Sequence, residues 1–523
     1  MMIRKIAVLM AISIFLFFWN PGAQGEVEKP TEEKPAFELP EVVIIGEDQS
    51  RVIIGGERKA LIDTPFLKKV ELGLEPVGKL FPLLIPPQRK DLNITEISFA
   101  YGRFNSLKSS LSHGREIKDK IYYLFTIGKY KTDGEFTGRR YNEDTASLEL
   151  GFRPGKNLDL KITTSGLLKD YRLSNSADTQ KVDLFNVELG LERRLGEETS
   201  VGCQFFGQRA HLKNNGRAKS DIGGAGLQAR IGLAQNNSLN LEARLYQEAL
   251  ELSGERSRYL VSSFSLTDEF LLFDRLWVDL GLEYKEKSKP FTAFLYPTGR
   301  FSYELIPDFN IWVRYKPDLA VPAFDELYTD NDYVGVNLDL RPQKRKFSLE
   351  EGMEYKLSQN LSGNISFFQR RFRNFIALFD DGSIGRLENI PNVFSEGIET
   401  SFVYTLRQNF TQNLRYIYER TEDEDRVDEK VPYRPSHSLK ISSHYDYGPL
   451  GIDLSILMQS KRYYNRSASL PFYWTLGTEI SYNVAKEFLL FVQGENLLQE
   501  KYAERFGYPL DHSKFFGGFK VKW

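Results

Sequence analysis

From Asn93 to Trp523 one pattern recurs: an alternating run, a short turn, a second alternating run, then a longer loop. Strand side chains alternate faces with period two, so each run is a β-strand with one apolar face. Leu276, Val278, Leu280, Leu282 and Tyr284 share one face, and Asp279, Gly281, Glu283 and Lys285 share the other. Phe309, Ile311, Val313 and Tyr315 stand opposite Asn310, Arg314 and Lys316. Ala146, Leu148, Leu150 and Phe152 stand opposite Ser147, Glu149 and Arg153. Runs of this kind begin near Asn93, Ser106, Lys120, Tyr141, Asn157, Lys181, Thr199, Ser220, Asn237, Arg258 and Arg275. They continue near Phe291, Asp308, Lys346, Asn360, Leu387, Phe410, Ser436, Leu450, Phe472, Glu487 and Lys514. That makes about 22 strands, within two either way.

The connections keep phase with the strands. Every second one is short, as at Pro154-Gly155-Lys156-Asn157, Gln235-Asn236-Asn237, Ile306-Pro307-Asp308 and Gly448-Pro449. These residue types turn a chain by mechanism: glycine and asparagine accept left-handed backbone, and proline presets φ. The alternate connections are mostly longer: Lys131 to Arg140, Asp170 to Gln180, Pro317 to Arg345, Thr421 to Pro435 and Gln499 to Ser513. Short turns at one rim and long loops at the other characterise outer-membrane barrels. A soluble sandwich has no reason to hold that phase over so many strands. The fold class read from this pattern is all-β, a transmembrane antiparallel β-barrel of about 22 strands behind a short N-terminal periplasmic or luminal segment.

The last strand fits. Phe515, Gly517, Phe519, Val521 and Trp523 fall on one side, and Phe516, Gly518, Lys520 and Lys522 on the other. A tilted strand of about 9–11 residues crosses a bilayer. Phe519, Val521 and Trp523 are expected to form the signal read by the barrel-assembly machinery. A mean hydropathy of -0.39 suits a wall that is apolar on one face only. The formal net charge of -2 argues against a nucleic-acid partner. A single cysteine, Cys203, excludes an internal disulfide framework.

The N-terminus predicts export. Arg4 and Lys5 precede an apolar run from Ile6 to Trp19, too short for a comfortable membrane helix, and Ala23-Gln24-Gly25 supplies small residues for cleavage. Residues 1–25 read as a signal peptide, with Glu26 the expected mature start. Glu26 to Pro40 is a Glu- and Pro-rich extended linker. Val43-Ile44-Ile45-Gly46-Glu47 and Val52-Ile53-Ile54-Gly55-Gly56-Glu57 read as two short strands. Glu75 to Pro87 is irregular, apolar, proline-rich chain.

From about Asn93 to Trp523, and most strongly from Pro322 onward, the sequence resembles the barrel of TonB-dependent outer-membrane receptors. The likeness rests on Pro322-Ala323-Phe324-Asp325-Glu326-Leu327-Tyr328, on Asn337-Leu338-Asp339-Leu340-Arg341-Pro342, and on Glu350 to Tyr355. It continues through Asn389 to Ile398 and through Glu495-Asn496-Leu497-Leu498, Lys501-Tyr502 and Gly507-Tyr508-Pro509. Gln343 stands where the family usually has Glu, and Leu338 where it has Pro. The resemblance implies an outer-membrane transporter of a solute rather than an enzyme, with no cofactor. It implies TonB as a partner, beside outer-membrane lipid, and a monomeric barrel. Leu39 to Gly46 is similar to the segment that TonB grips in this family. Glu41, Val42, Val43, Ile44, Ile45 and Gly46 are therefore candidates for adding a strand to a partner's sheet edge. A strand that caps the barrel or begins a truncated plug is the other reading.

The family fills its barrel with an N-terminal plug, whose usual signatures are missing here. Residues 26–92 number 67. A barrel of about 22 strands has a backbone diameter of roughly 44 Å and a lumen on the order of 20,000 Å³. Sixty-seven close-packed residues at roughly 130 Å³ each fill under half of it. Inward-folded loops, a partner such as a periplasmic plug-supplying protein, or Glu75 to Pro87 must narrow the bore. A barrel that only scaffolds a periplasmic or surface partner stays open as the alternative function.

Other chemistry is sparse. The histidines at 113, 211, 437, 444 and 512 form no helical metal pair. Glu422, Asp423, Glu424, Asp425, Asp428 and Glu429 form an acidic loop, read as solvated or as a cation trap. Arg341 to Lys346 is a basic run suited to a rim. Glu149, Glu188, Glu283 and Arg314 face the lumen and are expected to pair with each other or with water.

Overall fold

The computed structural model describes residues 93–523, apart from 173–178, 329–333, 381–384 and a few further turn and loop positions. The segment 26–92, with Glu41 to Gly46 and Glu75 to Pro87, lies outside the described residues.

The wall is built of 22 antiparallel strands. They are β1 (Ile94–Gly102), β2 (Ser106–Ile117), β3 (Ile121–Thr132), β4 (Arg140–Gly155), β5 (Leu158–Arg172), β6 (Thr179–Arg194), β7 (Ser200–Asn214) and β8 (Gly216–Ala234). Next come β9 (Asn237–Leu252), β10 (Glu255–Leu272), β11 (Leu276–Ser288), β12 (Phe291–Ile306), β13 (Phe309–Tyr315), β14 (Gln343–Ser358) and β15 (Leu361–Phe379). The last are β16 (Gly385–Leu406), β17 (Phe410–Asp423), β18 (His437–Tyr447), β19 (Leu450–Gln459), β20 (Tyr473–Ala485), β21 (Phe488–Glu495) and β22 (Lys514–Lys522). Each pairs with its sequence neighbour. The first and last also pair, with Glu96 opposite Lys522, Phe99 opposite Phe519 and Gly102 opposite Phe516, so the sheet closes on itself and has no free edge.

Register sorts the two faces. One row runs inside through Asp279, Arg300, Arg314 and Glu350. The outer positions between are apolar: Leu280 and Leu282 on β11, Phe301 and Tyr303 on β12, and Ile311 and Val313 on β13 are all exposed. Val278 is 3 % exposed because it sits between Phe270 and Phe301 on the neighbouring strands. This outer surface is the expected lipid face. Leu282, 45 % exposed between Leu266 and Pro297, is a direct probe of it. Leu282→Lys should destabilise the barrel in liposomes by about 2–4 kcal/mol, the cost of a basic residue near the midplane. An unchanged urea midpoint would rule out lipid contact there.

The short turns form one rim, where both ends of the wall lie. Asn236 (φ +69°), Asp308 (φ +65°) and Gly448 (φ +57°) take the left-handed backbone that tight hairpins demand. The other rim is less uniform than the sequence pattern suggests. Long connections there are concentrated after β13: 316–342, 424–436, 460–472 and 496–513. Between β7 and β8, β9 and β10, and β11 and β12 the connections are as short as turns. In that sector the strands themselves run long, with 19 residues in β8 and 18 in β10.

Candidate functional site

The described parts of the loop after β13, 316–328 and 334–342, fold into the lumen. The loop leaves β13, pairs Asp318 and Ala320 with Arg345 and Gln343, and then forms the short helix α1 (Phe324–Tyr328). Two donors at the start of α1 are satisfied. Ala323 N–H donates to Glu326 Oε2 at 3.2 Å, the return contact of a capping box. Phe324 N–H donates to Glu248 Oε1 at 3.2 Å. Glu248 belongs to the barrel wall, points inward from β9 and is 0 % exposed. Its carboxylate also accepts Ser220 Oγ at 2.8 Å and the Tyr259 hydroxyl. The Lys287 ammonium lies 3.9 Å from the centre of the Tyr259 ring.

Around this anchor Leu319, Val321 and Ala323 pack on the inward-facing Phe206, Ile222, Tyr246, Tyr259 and Val261. A larger apolar cluster joins Phe324, Leu327, Tyr328, Val334 and Leu340 of the same loop to Val182, Ala210 and Leu212 of the wall. It also contains Ile376, Tyr433, Leu470 and Phe516, from the other side of the loop's origin. The described parts of this loop therefore place an apolar layer across the lumen at loop level. Inward-folded loops are among the closures expected from the volume argument.

The resembling motifs serve this closure. The Tyr328 hydroxyl donates to Asn337 O at 3.1 Å and accepts Asn337 N–H at 3.0 Å. Asn337 Nδ2 reaches Leu387 O at 2.9 Å. Asn389 Oδ1 accepts Arg341 N–H at 2.8 Å, and its Nδ2 donates to Arg341 O and Asn374 O. Gln343, 2 % exposed, accepts Ile376 N–H at 2.9 Å. An amide oxygen is enough for that contact, so the departure from Glu is accommodated. Asn496 ties its own loop by donating to Glu500 O and Asp511 O.

A second node joins the long loops. Asp380, whose side chain is fully buried, accepts Arg505 Nε at 3.1 Å and Arg505 Nη2 at 2.6 Å, along with the Tyr433 hydroxyl. Asp380 N–H donates to Tyr464 O at 3.1 Å. Phe506 N–H donates to the Tyr433 hydroxyl at 3.2 Å, and the Phe506 ring stacks on Tyr464 at 3.9 Å. Burial, then the Asp380 charge, pushes the Tyr433 phenol up, so it stays a donor. Nearby, Arg462 is 1 % exposed, donates to Ala503 O and covers the ring of Tyr473, which stacks on Tyr502 at 4.4 Å. At the closing seam Asp511 accepts Arg139 at 3.3 Å and Lys514 at 2.9 Å. Burial alone would raise the Asp511 pKa, but Lys514 and Arg139 hold it below the usual carboxylate range.

The lumen carboxylates pair with wall neighbours rather than with each other. Glu149 meets Lys161 at 3.0 Å, Glu188 accepts Gln204, Glu283 accepts the Tyr296 hydroxyl at 2.8 Å, and Arg314 pairs with Glu350 at 2.5 Å. The acidic loop is largely neutralised: Arg466 meets Asp423 and Glu429, Arg420 meets Glu422, and Arg371 meets Glu424. Among the described residues no group of three or more His, Cys, Asp or Glu is placed to hold a metal ion. Phe519 and Val521 lie on the outer face at the closing seam. Phe519 stacks on Phe99 at 5.9 Å, and Trp523 exchanges backbone hydrogen bonds with Thr95.

A model of the family described as TonB dependent receptor-like, beta-barrel matches residues 89–497. No curated protein matches the chain. Among solved structures, the chain is similar to the copper transporter OprC, with TM-score 0.69 at 12 % identity over 82 % of this chain and 81 % of that one. It is similar to the ferric-catecholate import receptor Fiu of E. coli K12 in its closed form, with TM-score 0.68 at 12 % identity over 83 % and 82 %. The siderophore receptor PiuA of Acinetobacter baumannii gives TM-score 0.69 at 12 % identity over 82 % and 81 %. At such identities the likeness speaks for the fold alone.

Proposed function

The chain belongs to the family of TonB-dependent receptor-like β-barrels, and from that premise we propose that it carries a solute across the outer membrane through a lumen gated by its own loops. The observation that carries this reading is the seat of α1: an inward loop docked on a buried wall carboxylate, with no covalent tie to it. A closure held by a few hydrogen bonds and apolar contacts can open. Cargo is not chosen by the fold, since one structural neighbour is named for copper and another for ferric catecholate.

In the same reading Glu41 to Gly46 add a strand to TonB, which supplies the work of opening. Phe519, Val521 and Trp523 present the outer-face aromatic end that the assembly machinery takes up, after export has removed residues 1–25. The paired wall and ordered lid also favour a second reading, a barrel that conducts little and anchors a partner. Planar-bilayer conductance separates the two. Three forms are compared: the mature chain, the chain lacking 26–58, and the chain lacking the 321–340 lid. Transport by gating expects a large, stable rise on lid removal; no channel in any form sinks it in favour of the scaffold. A rise on removing 26–58 assigns part of the closure to that segment.

A further inference from the structure

On the outer face of β6 to β8, at the loop rim, Lys181, Lys213 and Arg217 lie directly opposite one another in successive register. All three are exposed and none makes a salt bridge among the described residues; Asp170 of β5 stands opposite Lys181 in the same row, but it is engaged by Asn142 at 3.0 Å and Arg140 at 3.8 Å. Like charges placed opposite each other across strands repel. The next row downward reads Asp183, His211, Lys219 and Glu251, and the row below it Phe185, Arg209, Asp221 and Ala249. There Arg209 meets Asp221 at 2.6 Å. The repulsion is thus concentrated in the top row.

Height places that row. Phe185, 55 % exposed, stands roughly 23 Å above the turn end of β6 at Arg194, and Lys181 roughly 33 Å above it, taking ~3.3 Å per residue at a ~40° tilt. The apolar band of such a barrel is about 25 Å tall. Phe185, Phe205, Leu227 and Leu245 therefore face acyl chains, and the three cations stand at headgroup level. One row below Phe185, beside Val187, Gly207 and Gly223 face outward opposite each other. A Cβ added at Gly223 would meet nothing within 4 Å. Room for a lipid tail thus lies beneath a row of three cations flanked by one carboxylate, Asp170, that is shared with Arg140.

We propose that Lys181, Lys213 and Arg217 bind the phosphates of an anionic lipid of the outer leaflet. The site rests on the outer-membrane placement proposed above, with the long loops outside. Beside the site the β7–β8 and β9–β10 connections are turn-length while β8 and β10 run long, so a lipid headgroup would cover those strand ends. A surface charge near anionic lipid is worth about a factor of five in binding, so three together amount to on the order of 100-fold.

The test uses the purified full-length barrel in detergent, with native mass spectrometry of retained lipid. The probes are bis-phosphorylated lipid A, phosphatidylcholine and inorganic phosphate. The wild type should retain lipid A selectively, and K181Q/K213Q/R217Q should bind it about 100-fold more weakly. Without lipid the variant should melt no lower than wild type, because the repulsion has been removed. If the triple variant fails to fold, Lys213→Gln alone should weaken binding about five-fold. Equal retention of lipid A by variant and wild type, equal retention of phosphatidylcholine, or displacement by equimolar inorganic phosphate would overturn the assignment. Conductance is unaffected by these substitutions, so a barrel that never conducts yet selects lipid A refutes transport and leaves this site standing.

Discussion

Asp380→Ala unlatches the loop rim while leaving the barrel closed. The substitution removes the acceptor of two Arg505 donors and of the Tyr433 hydroxyl, at a site with no solvent to replace it. Breaking a buried pair by deleting one partner costs about 3–5 kcal/mol, because a charge is left desolvated. The cost falls on the loops. The wall is held by backbone ladders between all 22 strands, and none of these passes through the Asp380 carboxylate. The cheapest relief for Arg505 and Tyr433 is to swing into water, carrying 496–513 and 424–436 with them. Amide exchange over 496–513 should accelerate on the order of 100-fold or more, as 3–5 kcal/mol implies. Strand exchange should not change. Replacing both partners, as in D380A/R505L, should recover part of the protection, since an apolar pair leaves no orphaned charge. Unaltered protection of 496–513 in Asp380→Ala would falsify the latch.

Glu248→Ala should free α1 from the wall. The carboxylate is the common acceptor of Phe324 N–H, Ser220 and Tyr259, and it is fully buried. Each orphaned buried donor costs about 1–3 kcal/mol. If α1 stays docked, three donors are left unsatisfied; if it lifts, lumen water reaches them. Lifting is therefore favoured, and the loss appears as an open lid rather than an unfolded barrel. A spin label at Asp325 should become mobile, and single-channel openings should appear in bilayers. Glu248→Gln keeps one acceptor oxygen and should show an intermediate phenotype. A label that stays immobile in Glu248→Ala would show that apolar packing of Phe324, Leu327 and Tyr328 alone seats the helix.

The wall was legible because its signals are local. Alternation with period two marks β11 from Leu276 to Tyr284, and turn residues such as Asn236 and Asp308 mark where chains reverse. Starts expected near Lys181 and Arg258 fall at Thr179 and Glu255, small shifts that come from strand ends extending past their alternating centres. The lid was not legible. Asp380, Tyr433 and Arg505 lie on three different connections, and nothing near any of them in sequence names the other two. Glu248 reads as one more lumen carboxylate among many. Its burial comes from α1, which departs from β13, several strands away around the wall. The lumen charges illustrate the same limit. Alternation placed Glu149, Glu188, Glu283 and Arg314 inside, but register alone decided that each meets an adjacent-strand neighbour.

Strand number, the two faces, the closing last strand and the phase of turns against loops were determined by the order of residues alone. Each follows from chain geometry within a dozen residues, where side-chain direction and turn chemistry repeat without reference to distant parts. Which loops fold inward, what they grip, and which cations line up on the outer rim were decided only in three dimensions. Those outcomes depend on the register and curvature of a closed sheet, which bring residues hundreds of positions apart within hydrogen-bond reach.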